Sequence, residues 1–258
     1  MPYAPFDLTG KVVLITGGNS GIGLGMADAV AAAGAAVCIW GTSEAKNAAA
    51  ADALGKHGGR VLALACDVAD EAAVDRAFAE TITTFRRVDA CFVNAGVSGR
   101  AGGQSFTEMT TEEWRRVMSV NLDGAFFTLR AAARHMTSRP GGGSLVVTAS
   151  LAAISGQARG EHYAATKGGI ISMMKALAVE FARHGIRANA ILPGWIDTPM
   201  TARALRWDKF VERVLPRVPA RRWGTAGDFG GIAVYLTSDA SAYHTGDTFI
   251  IDGGYSIF

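Results

Sequence analysis

The fold of this chain is decided by one stretch near its beginning, VVLITGGNSGIG at residues 12–23. Its first five residues are apolar or β-branched, which is typical of a short buried strand. A glycine turn follows at once, and the alanine-rich run at residues 26–33 favours a helix that ends at Gly34. This order predicts a dinucleotide site, because glycine lets the backbone approach a pyrophosphate and the helix N-terminus favours its negative charge. A purely structural tight turn is the alternative.

Strand-like and helix-like segments alternate along the rest of the chain. Short apolar runs predict seven strands, at Val12–Thr16, Ala36–Trp40, Val61–Ala65, Ala90–Asn94, Ser144–Thr148, Arg187–Leu192 and Thr248–Ile251. Longer runs between them predict helices, at Ile22–Ala33, Glu44–His57, Glu71–Phe85, Thr111–Met136, Glu161–His184 and Ala226–Ser238. Such alternation predicts an α/β fold, with a doubly wound parallel sheet and helices on both faces. No linker divides the chain, so we expect residues 1–258 to form a single domain.

Composition limits the class of protein. Of the 258 residues, 49% are hydrophobic and 19% are charged, and the formal net charge is +2. These values indicate a globular protein and give no electrostatic reason to expect nucleic acid or an anionic membrane as a partner. No apolar stretch reaches membrane-spanning length, and the first residues lack the basic start and apolar run of a signal peptide. We therefore expect a cytoplasmic protein.

The cysteines and histidines give no sign of a metal site. Cys38, Cys66 and Cys91 each lie in or at the end of an apolar strand-like run. We expect them to be buried free thiols. The chain has no Cys-x-x-Cys pair and no pair of histidines at ligand spacing, so no metal is expected.

Tyr163 and Lys167 are four residues apart in a predicted helix, with Ser150 thirteen residues upstream of the tyrosine. Side chains at this spacing lie on the same helix face. A phenol has a reference pKa of about 10, and a nearby ammonium favours the phenolate, so we expect the tyrosine pKa to fall. The pair then predicts a general acid or base. An amphipathic helix with a solvated lysine is the alternative for this spacing alone.

Several motifs taken together resemble the short-chain dehydrogenase/reductase superfamily, in its single-domain branch, from about Leu8 to Tyr255. The motifs that carry the resemblance are Thr16–Gly23, Asn94-Ala95-Gly96, Asn121, Ser150, Tyr163, Lys167 and Pro193-Gly194. The resemblance implies a Rossmann-type fold and an NAD(P)-dependent oxidoreductase that interconverts a secondary alcohol and a ketone by hydride transfer. Members of the family are commonly tetramers, and the apolar helices of this chain fit a homotetramer.

The resemblance also implies catalytic roles. Tyr163 handles the proton, Ser150 holds the substrate oxygen, and Lys167 lowers the tyrosine pKa and bonds the nicotinamide ribose. Asn121 matches the position that anchors a water molecule next to Lys167. An asparagine within a helical run also marks a kink or a local backbone bond, which is the alternative for Asn121.

Cofactor contacts are implied at the ends of several strands. The residues are Gly17, Asn19, Ser20, Gly21, Ile22, Gly23, Thr42, Asp67, Val68, Asn94, Ala95, Gly96, Tyr163, Lys167, Pro193, Gly194, Ile196 and Thr198. Asp67 matches the position that holds the adenine edge, although Asp67 or Asp70 also suits the cap of the next helix. The backbone of Ile196 and the hydroxyl of Thr198 match the positions that bind the nicotinamide carboxamide.

The end of the second strand selects between NAD and NADP. This chain has no carboxylate at Trp40 and no arginine at Thr42, and Ser20 in the glycine turn is neutral. Because a 2′-phosphate without a cation is costly, we expect NAD(H) to be preferred. Thr42, Ser43 and Lys46 keep NADP(H) open as an alternative, because the two hydroxyls and the ammonium group are all able to bond a phosphate.

Two segments interrupt the alternation of strands and helices. Residues 98–105 are rich in glycine and predict a loop, and residues 199–219 predict a lid over the substrate. A surface helix packed permanently on the domain is the alternative for the lid. The substrate is expected to be a small alcohol or ketone. The candidate walls of its pocket are Ser98, Gln157, His162, Trp195, Leu205 and Trp207.

Two other functions are compatible with the same scaffold. One is a regulator that senses the cofactor ratio without turnover, although such proteins usually lose the tyrosine or the lysine. The other is an epimerase or dehydratase, but those relatives usually have longer chains with an added substrate domain.

Overall fold

A computed structural model describes residues 4–99 and 105–258, so the predicted loop at 98–105 lies partly outside the described residues. The described chain contains one sheet of seven strands in the order β3-β2-β1-β4-β5-β6-β7. The strands are β1 (Val12–Thr16), β2 (Ala36–Gly41), β3 (Val61–Ala65), β4 (Ala90–Val93), β5 (Gly143–Thr148), β6 (Ile186–Pro193) and β7 (Thr248–Ile251). Every neighbouring pair is parallel, which confirms the predicted doubly wound sheet.

Nine α-helices occur in the described parts of the chain. They are α1 (Gly21–Ala32), α2 (Glu44–Gly55), α3 (Glu71–Phe85), α4 (Thr111–Met118), α5 (Gly124–Thr137), α6 (Glu161–Phe181), α7 (Ala202–Leu205), α8 (Asp208–Val214) and α9 (Gly230–Thr237). The predicted helix at Thr111–Met136 is wrong as one continuous helix. A π-helical segment at Ser119–Asp123 separates α4 from α5, and the side chain of its Asn121 bonds a neighbouring loop.

The core consists of two layers, one on each face of the sheet. Val12 and Leu14 of β1 face a layer that includes residues of α3, α5 and α6. Val13 and Ile15 face the other, which includes residues of α1, α2 and α9. Alternate residues of a strand point to opposite faces, so a strand buried on both faces must be apolar throughout.

The three cysteines belong to this core. Cys38, Cys66 and Cys91 are buried and free, as expected from the sequence. Burial raises the pKa of Cys38 to about 12 and that of Cys66 to about 11, and it also raises the pKa of Cys91. Within residues 4–99 and 105–258, no three His, Cys, Asp or Glu side chains are grouped so that they could hold a metal ion. In the same ranges, no helix combines the length and apolar character that crossing a membrane requires.

The order of the strands determines where a ligand fits. The chain runs from β1 outwards to β2 and β3, and then returns to place β4 on the other side of β1. Beyond the carboxyl ends of β1 and β4 the connections diverge, which leaves a crevice that binds ligands in open α/β sheets. The glycine turn follows β1 at this point.

Candidate functional site

The glycine turn after β1 is packed so closely that side chains would not fit. Gly17 and Gly21 have positive φ angles of 63° and 53°. A Cβ atom on Gly23 would lie 2.3 Å from the Gly17 carbonyl oxygen and 2.5 Å from Asn94 Nδ2. Ser20 precedes α1 but makes no side-chain bond to its first turn, so the amides there remain available. This cradle of backbone amides at a helix N-terminus fits a pyrophosphate.

A cleft of about 510 Å³ extends from this turn along the carboxyl ends of the strands. Its lining includes all of the predicted cofactor residues except Gly23, which packs beneath the turn. Ser150, Tyr163 and Lys167 line the same cleft. The residues present therefore fit a dinucleotide: the amides at the start of α1 would hold its pyrophosphate, and Ser150, Tyr163 and Lys167 would stand beside its reactive end.

Asn94 secures β4 to the glycine turn. Its Nδ2 donates to the carbonyl oxygens of Thr16 at 3.2 Å and Gly17 at 3.3 Å. The Thr16 hydroxyl oxygen accepts from the backbone amides of Asn94 and Ala95, both at 3.0 Å. The side chains of Asn94 and Thr16 thus fix the backbone at the floor of the cleft.

A pair of asparagines, half-buried Asn19 and buried Asn47, shapes the cleft at the end of β2. Asn19 of the glycine turn donates to Asn47 Oδ1 at 2.7 Å, and Asn47 donates to the carbonyl oxygens of Gly41 and Leu64. A Cβ atom on Gly41 would lie 2.2 Å from Asn19 Nδ2. Sequence reasoning missed Asn47, although an asparagine in an alanine-rich helix was a sign that its side chain had a partner.

At this end of the cleft, the Trp40 side chain is buried in the core, whereas the Lys46 side chain is exposed. The Trp40 ring is fully buried, and its Nε1 donates to Thr81 Oγ1 at 3.3 Å. Lys46 is exposed and lines the cleft beside Thr42 and Ser43. A side chain at position 40 therefore points into the core, and Lys46 brings a cation to this part of the cleft.

The two aspartates that follow β3 have different roles. Asp70 caps α3 by accepting from the amides of Ala72 at 2.9 Å and Ala73 at 3.2 Å. Asp67 lines the cleft and accepts from the amide of Ala69. The helix-cap alternative therefore applies to Asp70, while Asp67 faces the expected adenine subsite.

Tyr163 and Lys167 lie on α6, and Ser150 follows β5. Lys167 is buried, and its Nζ lies 5.6 Å from the centroid of the Tyr163 ring. Its ammonium group donates to the Thr148 carbonyl oxygen at 2.7 Å. The Ser150 side chain hydrogen-bonds to Tyr163 and also accepts from the amide of Ala152. Sequence reasoning missed Thr148, since its role is carried by a backbone oxygen.

The pKa values differ from the expectation. Burial raises the pKa of Tyr163, while its hydrogen bond with Ser150 acts in the opposite direction. Burial also lowers the pKa of Lys167 to about 8. The predicted fall of the Tyr163 pKa is therefore wrong for the chain by itself. Loss of solvation opposes the phenolate, and the lysine ammonium is bonded to Thr148.

Asn121 lies in the π-helical segment and is only 2% exposed. Its Oδ1 accepts from the amide of Val97 at 2.8 Å, and its Nδ2 donates to the Val97 carbonyl oxygen at 3.1 Å. A Cβ atom on Gly96 would lie 3.2 Å from Asn121 Oδ1 and 3.7 Å from Lys167 Nζ. The side chain thus bonds the backbone of the loop after β4, close to the lysine, and it does not line the cleft itself.

None of the six predicted substrate-wall residues lines the cleft within the described part of the chain. His162 and Leu205 are buried, and Trp207 is exposed to solvent. The Trp195 ring packs edge-on against Phe210 of α8, with 4.8 Å between centroids. Ser98 offers its carbonyl oxygen to Arg116, and Gln157 lies in the turn before α6.

Only the first residues of the predicted lid line the cleft within the described chain. Pro199, Met200 and Thr201 line it directly after Thr198. The Thr201 hydroxyl bonds the Ile196 carbonyl oxygen and lies 3.1 Å from Thr198 Oγ1. Sequence reasoning placed Met200 and Thr201 in the lid without assigning them to the site, although they immediately follow a predicted cofactor residue.

Comparison with known proteins agrees with this geometry. Residues 17–256 match the family model described as enoyl-(acyl carrier protein) reductase. The chain is 38% identical over 251 residues to 2-dehydro-3-deoxy-D-gluconate 5-dehydrogenase of Bacillus subtilis (strain 168), covering 97% of this chain and 96% of that protein. It is 36% identical over 251 residues to L-rhamnose 1-dehydrogenase (NAD(P)(+)) of Azotobacter vinelandii, covering 96% and 97%.

A solved structure is similar in fold as well. The crystal structure of a gluconate 5-dehydrogenase from Burkholderia cenocepacia J2315 in complex with NADP and tartrate matches with a TM-score of 0.92 at 34% identity. The match covers 99% of this chain and 100% of that one. The similarity therefore extends through both the glycine turn and the tyrosine helix.

Proposed function

This chain belongs to the short-chain dehydrogenase/reductase superfamily and is an NAD(P)-dependent oxidoreductase acting on an alcohol or ketone, and we propose that Tyr163 is its general acid and base. One observation carries the proposal. Tyr163, Ser150 and Lys167 line the same cleft as a glycine turn that is shaped for a pyrophosphate.

We propose three roles for these side chains. Ser150 holds the substrate oxygen and stabilises the charge that develops there. Tyr163 takes the proton from an alcohol oxygen, or returns it to a ketone oxygen. The bound nicotinamide supplies or accepts the hydride. Lys167, whose pKa is about 8, places a proton-exchanging group near the tyrosine at neutral to mildly alkaline pH.

We also propose that Asn121 contributes to the path of the proton. Its side chain holds Val97 beside Gly96, and Lys167 Nζ is close to the same glycine. A water molecule held at this point would connect Lys167 to solvent. Asn121 would then act by shaping the backbone around the water molecule.

NAD(H) is the proposed preferred cofactor, with NADP(H) also accepted. No arginine stands at the end of β2, and Thr42 and Ser43 suit free ribose hydroxyls. Lys46 lies on the same wall and offers one ammonium group to a 2′-phosphate. The name of the Azotobacter relative includes both cofactors, which is consistent with a site that accepts either.

The proposed substrate is a small sugar or sugar acid with a secondary hydroxyl or keto group. The relatives act on L-rhamnose and on a dehydro-deoxy-gluconate by their names, which supports this class. The proposed lid is residues 199–219, since Pro199 to Thr201 line the cleft and α8 packs on Trp195 through Phe210. A homotetramer and a cytoplasmic location remain predictions from the sequence.

The proposal is tested by assaying the purified protein with NAD and NADP against a panel of sugars, sugar acids, polyols and ketones. Net reduction of cofactor, abolished in Tyr163→Phe, is the expected result. Tight cofactor binding without turnover across the panel would instead indicate a sensor. Conversion of a substrate to its epimer or to a dehydrated product, without net change in cofactor, would indicate the other enzyme class.

A further inference from the structure

A buried histidine stands beside the catalytic tyrosine without facing the cleft. His162 is 1% exposed, and its Nε2 lies 3.3 Å from Glu113 Oε1 of α4. Within the described chain, no partner reaches its Nδ1. A buried imidazole is costly unless it is bonded, so the contact with Glu113 compensates for its burial in part. Nothing in the proposed proton transfer uses this histidine.

Glu113 is fixed in turn by Arg116. The arginine donates through Nε at 2.7 Å and through Nη2 at 2.8 Å to the two carboxylate oxygens. This bonding lowers the pKa of Glu113, so the carboxylate is ionised and only accepts hydrogen bonds. His162 Nε2 is therefore the donor in its contact with Glu113. A bidentate arginine–carboxylate pair of this kind fixes the orientation of the Glu113 carboxylate as well as its distance from Arg116.

The same arginine holds the loop that follows β4. Its Nη2 also donates to the Ser98 carbonyl oxygen at 2.9 Å. The next residue, Gly99, passes directly over α6. A Cβ atom at this glycine would lie 2.6 Å from His162 Cε1 and 2.9 Å from Tyr163 Cβ. Asn121 holds Val97 and Arg116 holds Ser98, so two side chains fix the segment 97–99 where Gly99 packs on the tyrosine.

We propose that His162, Glu113 and Arg116 are positioning residues that hold Ser98-Gly99 against Tyr163 and thereby set the substrate end of the cleft. The proposal rests on the proposed function of Tyr163. None of the three lines the cleft, so they act on the substrate through the segment 97–99. A shift of that segment alters the space beside the phenol while it leaves the cofactor cradle at α1 unchanged.

Two pairs of variants test the proposal. His162→Leu removes the donor at similar volume, and His162→Gln keeps a donor that reaches Glu113. Arg116→Met releases the Ser98 carbonyl oxygen, and Arg116→Lys keeps one donor for it. Gly99→Ala forces the segment away from His162 and Tyr163 without substituting any of the three residues. Each variant is assayed for kcat, for KM of the best substrate in the panel, and for cofactor Kd.

We expect His162→Leu, Arg116→Met and Gly99→Ala to raise KM about tenfold, with kcat and cofactor Kd within about twofold. His162→Gln and Arg116→Lys should return KM to within about threefold of the original value. Unchanged KM in His162→Leu and Arg116→Met would overturn the proposal. So would a fall in melting temperature and in cofactor affinity with no change in KM, since this result indicates only a structural role. Loss of turnover in Tyr163→Phe is independent of these outcomes, so the two proposals can fail separately.

Discussion

Lys167 Nζ lies 2.7 Å from the Thr148 carbonyl oxygen, so the lysine beside the proposed catalytic tyrosine is held by the last residue of β5. The ammonium group is buried, and its burial is the cause of the lowered pKa of about 8. This arrangement places a positive charge behind Tyr163 at a fixed point. The same burial lowers the stability of the folded state, because the ammonium group loses its contact with water.

Replacing the lysine should therefore stabilise the protein in a pH-dependent way. Below about pH 8 the lysine is charged in both the folded and the unfolded state, so the whole cost of burying its charge lowers the stability of the fold. Between about pH 8 and 10.5 the folded state gives up the proton first, so stability rises with pH. We expect Lys167→Met to be more stable than the original chain at about pH 7, by roughly 1–2 kcal/mol after the lost Thr148 bond.

This stability gap should shrink by roughly 2–3 kcal/mol as the pH rises to about 10, which reverses its sign. Urea unfolding of both proteins at the two pH values measures the gap. A gap that stays the same at both pH values would contradict the buried charge.

Tyr163→Phe should lower kcat by at least about 10², because it removes the exchangeable proton while keeping the ring. Cofactor Kd should stay within about twofold, since the glycine turn is unchanged. Steady-state rates and a fluorescence titration with the cofactor measure the two quantities. If Tyr163→Phe turned over at close to the original rate, a group other than Tyr163 would carry out the proton transfer.

Lys46→Ala should discriminate between the two cofactors. We expect kcat/KM with NADP to fall about fivefold to tenfold, since an exposed ammonium contributes about 1 kcal/mol to a phosphate contact. The value with NAD should be unchanged. Lys56→Ala, at the C-terminal end of α2, is the control for the loss of one charge. Equal effects on both cofactors would place Lys46 outside the phosphate subsite.

Gly41→Ala should weaken binding of both cofactors by at least about tenfold. The new methyl group meets Asn19 Nδ2 at 2.2 Å and Asn47 Oδ1 at 2.7 Å, and both asparagines must move. Gly55→Ala is the matched control, because a Cβ there meets nothing within 4 Å. The control should stabilise the fold by up to about 1 kcal/mol without changing cofactor affinity. Calorimetric titration of the two variants gives the comparison.

Much of the fold was predictable because the decisive patterns are local. Strands β1, β3 and β7 have the predicted bounds, since each is a compact apolar run between turns. The π-helical segment was missed because it accompanies a tertiary contact, from Asn121 to Val97. Helical periodicity within residues 111–136 carries no information about that loop.

The sequence was enough to name the residues of the candidate site, but it did not indicate how deeply they are buried or how their pKa values shift. The spacing of Tyr163 and Lys167 places them on one helix face, as expected, but spacing does not report how far each group is buried. The sign of the Tyr163 pKa shift was therefore missed. The six candidate substrate walls stay a prediction, because a contact such as that of Trp195 with Phe210 depends on tertiary packing that the sequence pattern does not report.

The buried cysteines make the chain a convenient background for spectroscopy. Thiolate is the nucleophile that attacks an alkylating reagent, and at neutral pH the three raised pKa values leave almost none of it. A cysteine introduced at Trp207, which is 59% exposed, would then be the preferred target of a maleimide dye. Fluorescence from that dye would report on whether residues 199–219 change their environment when substrate is added.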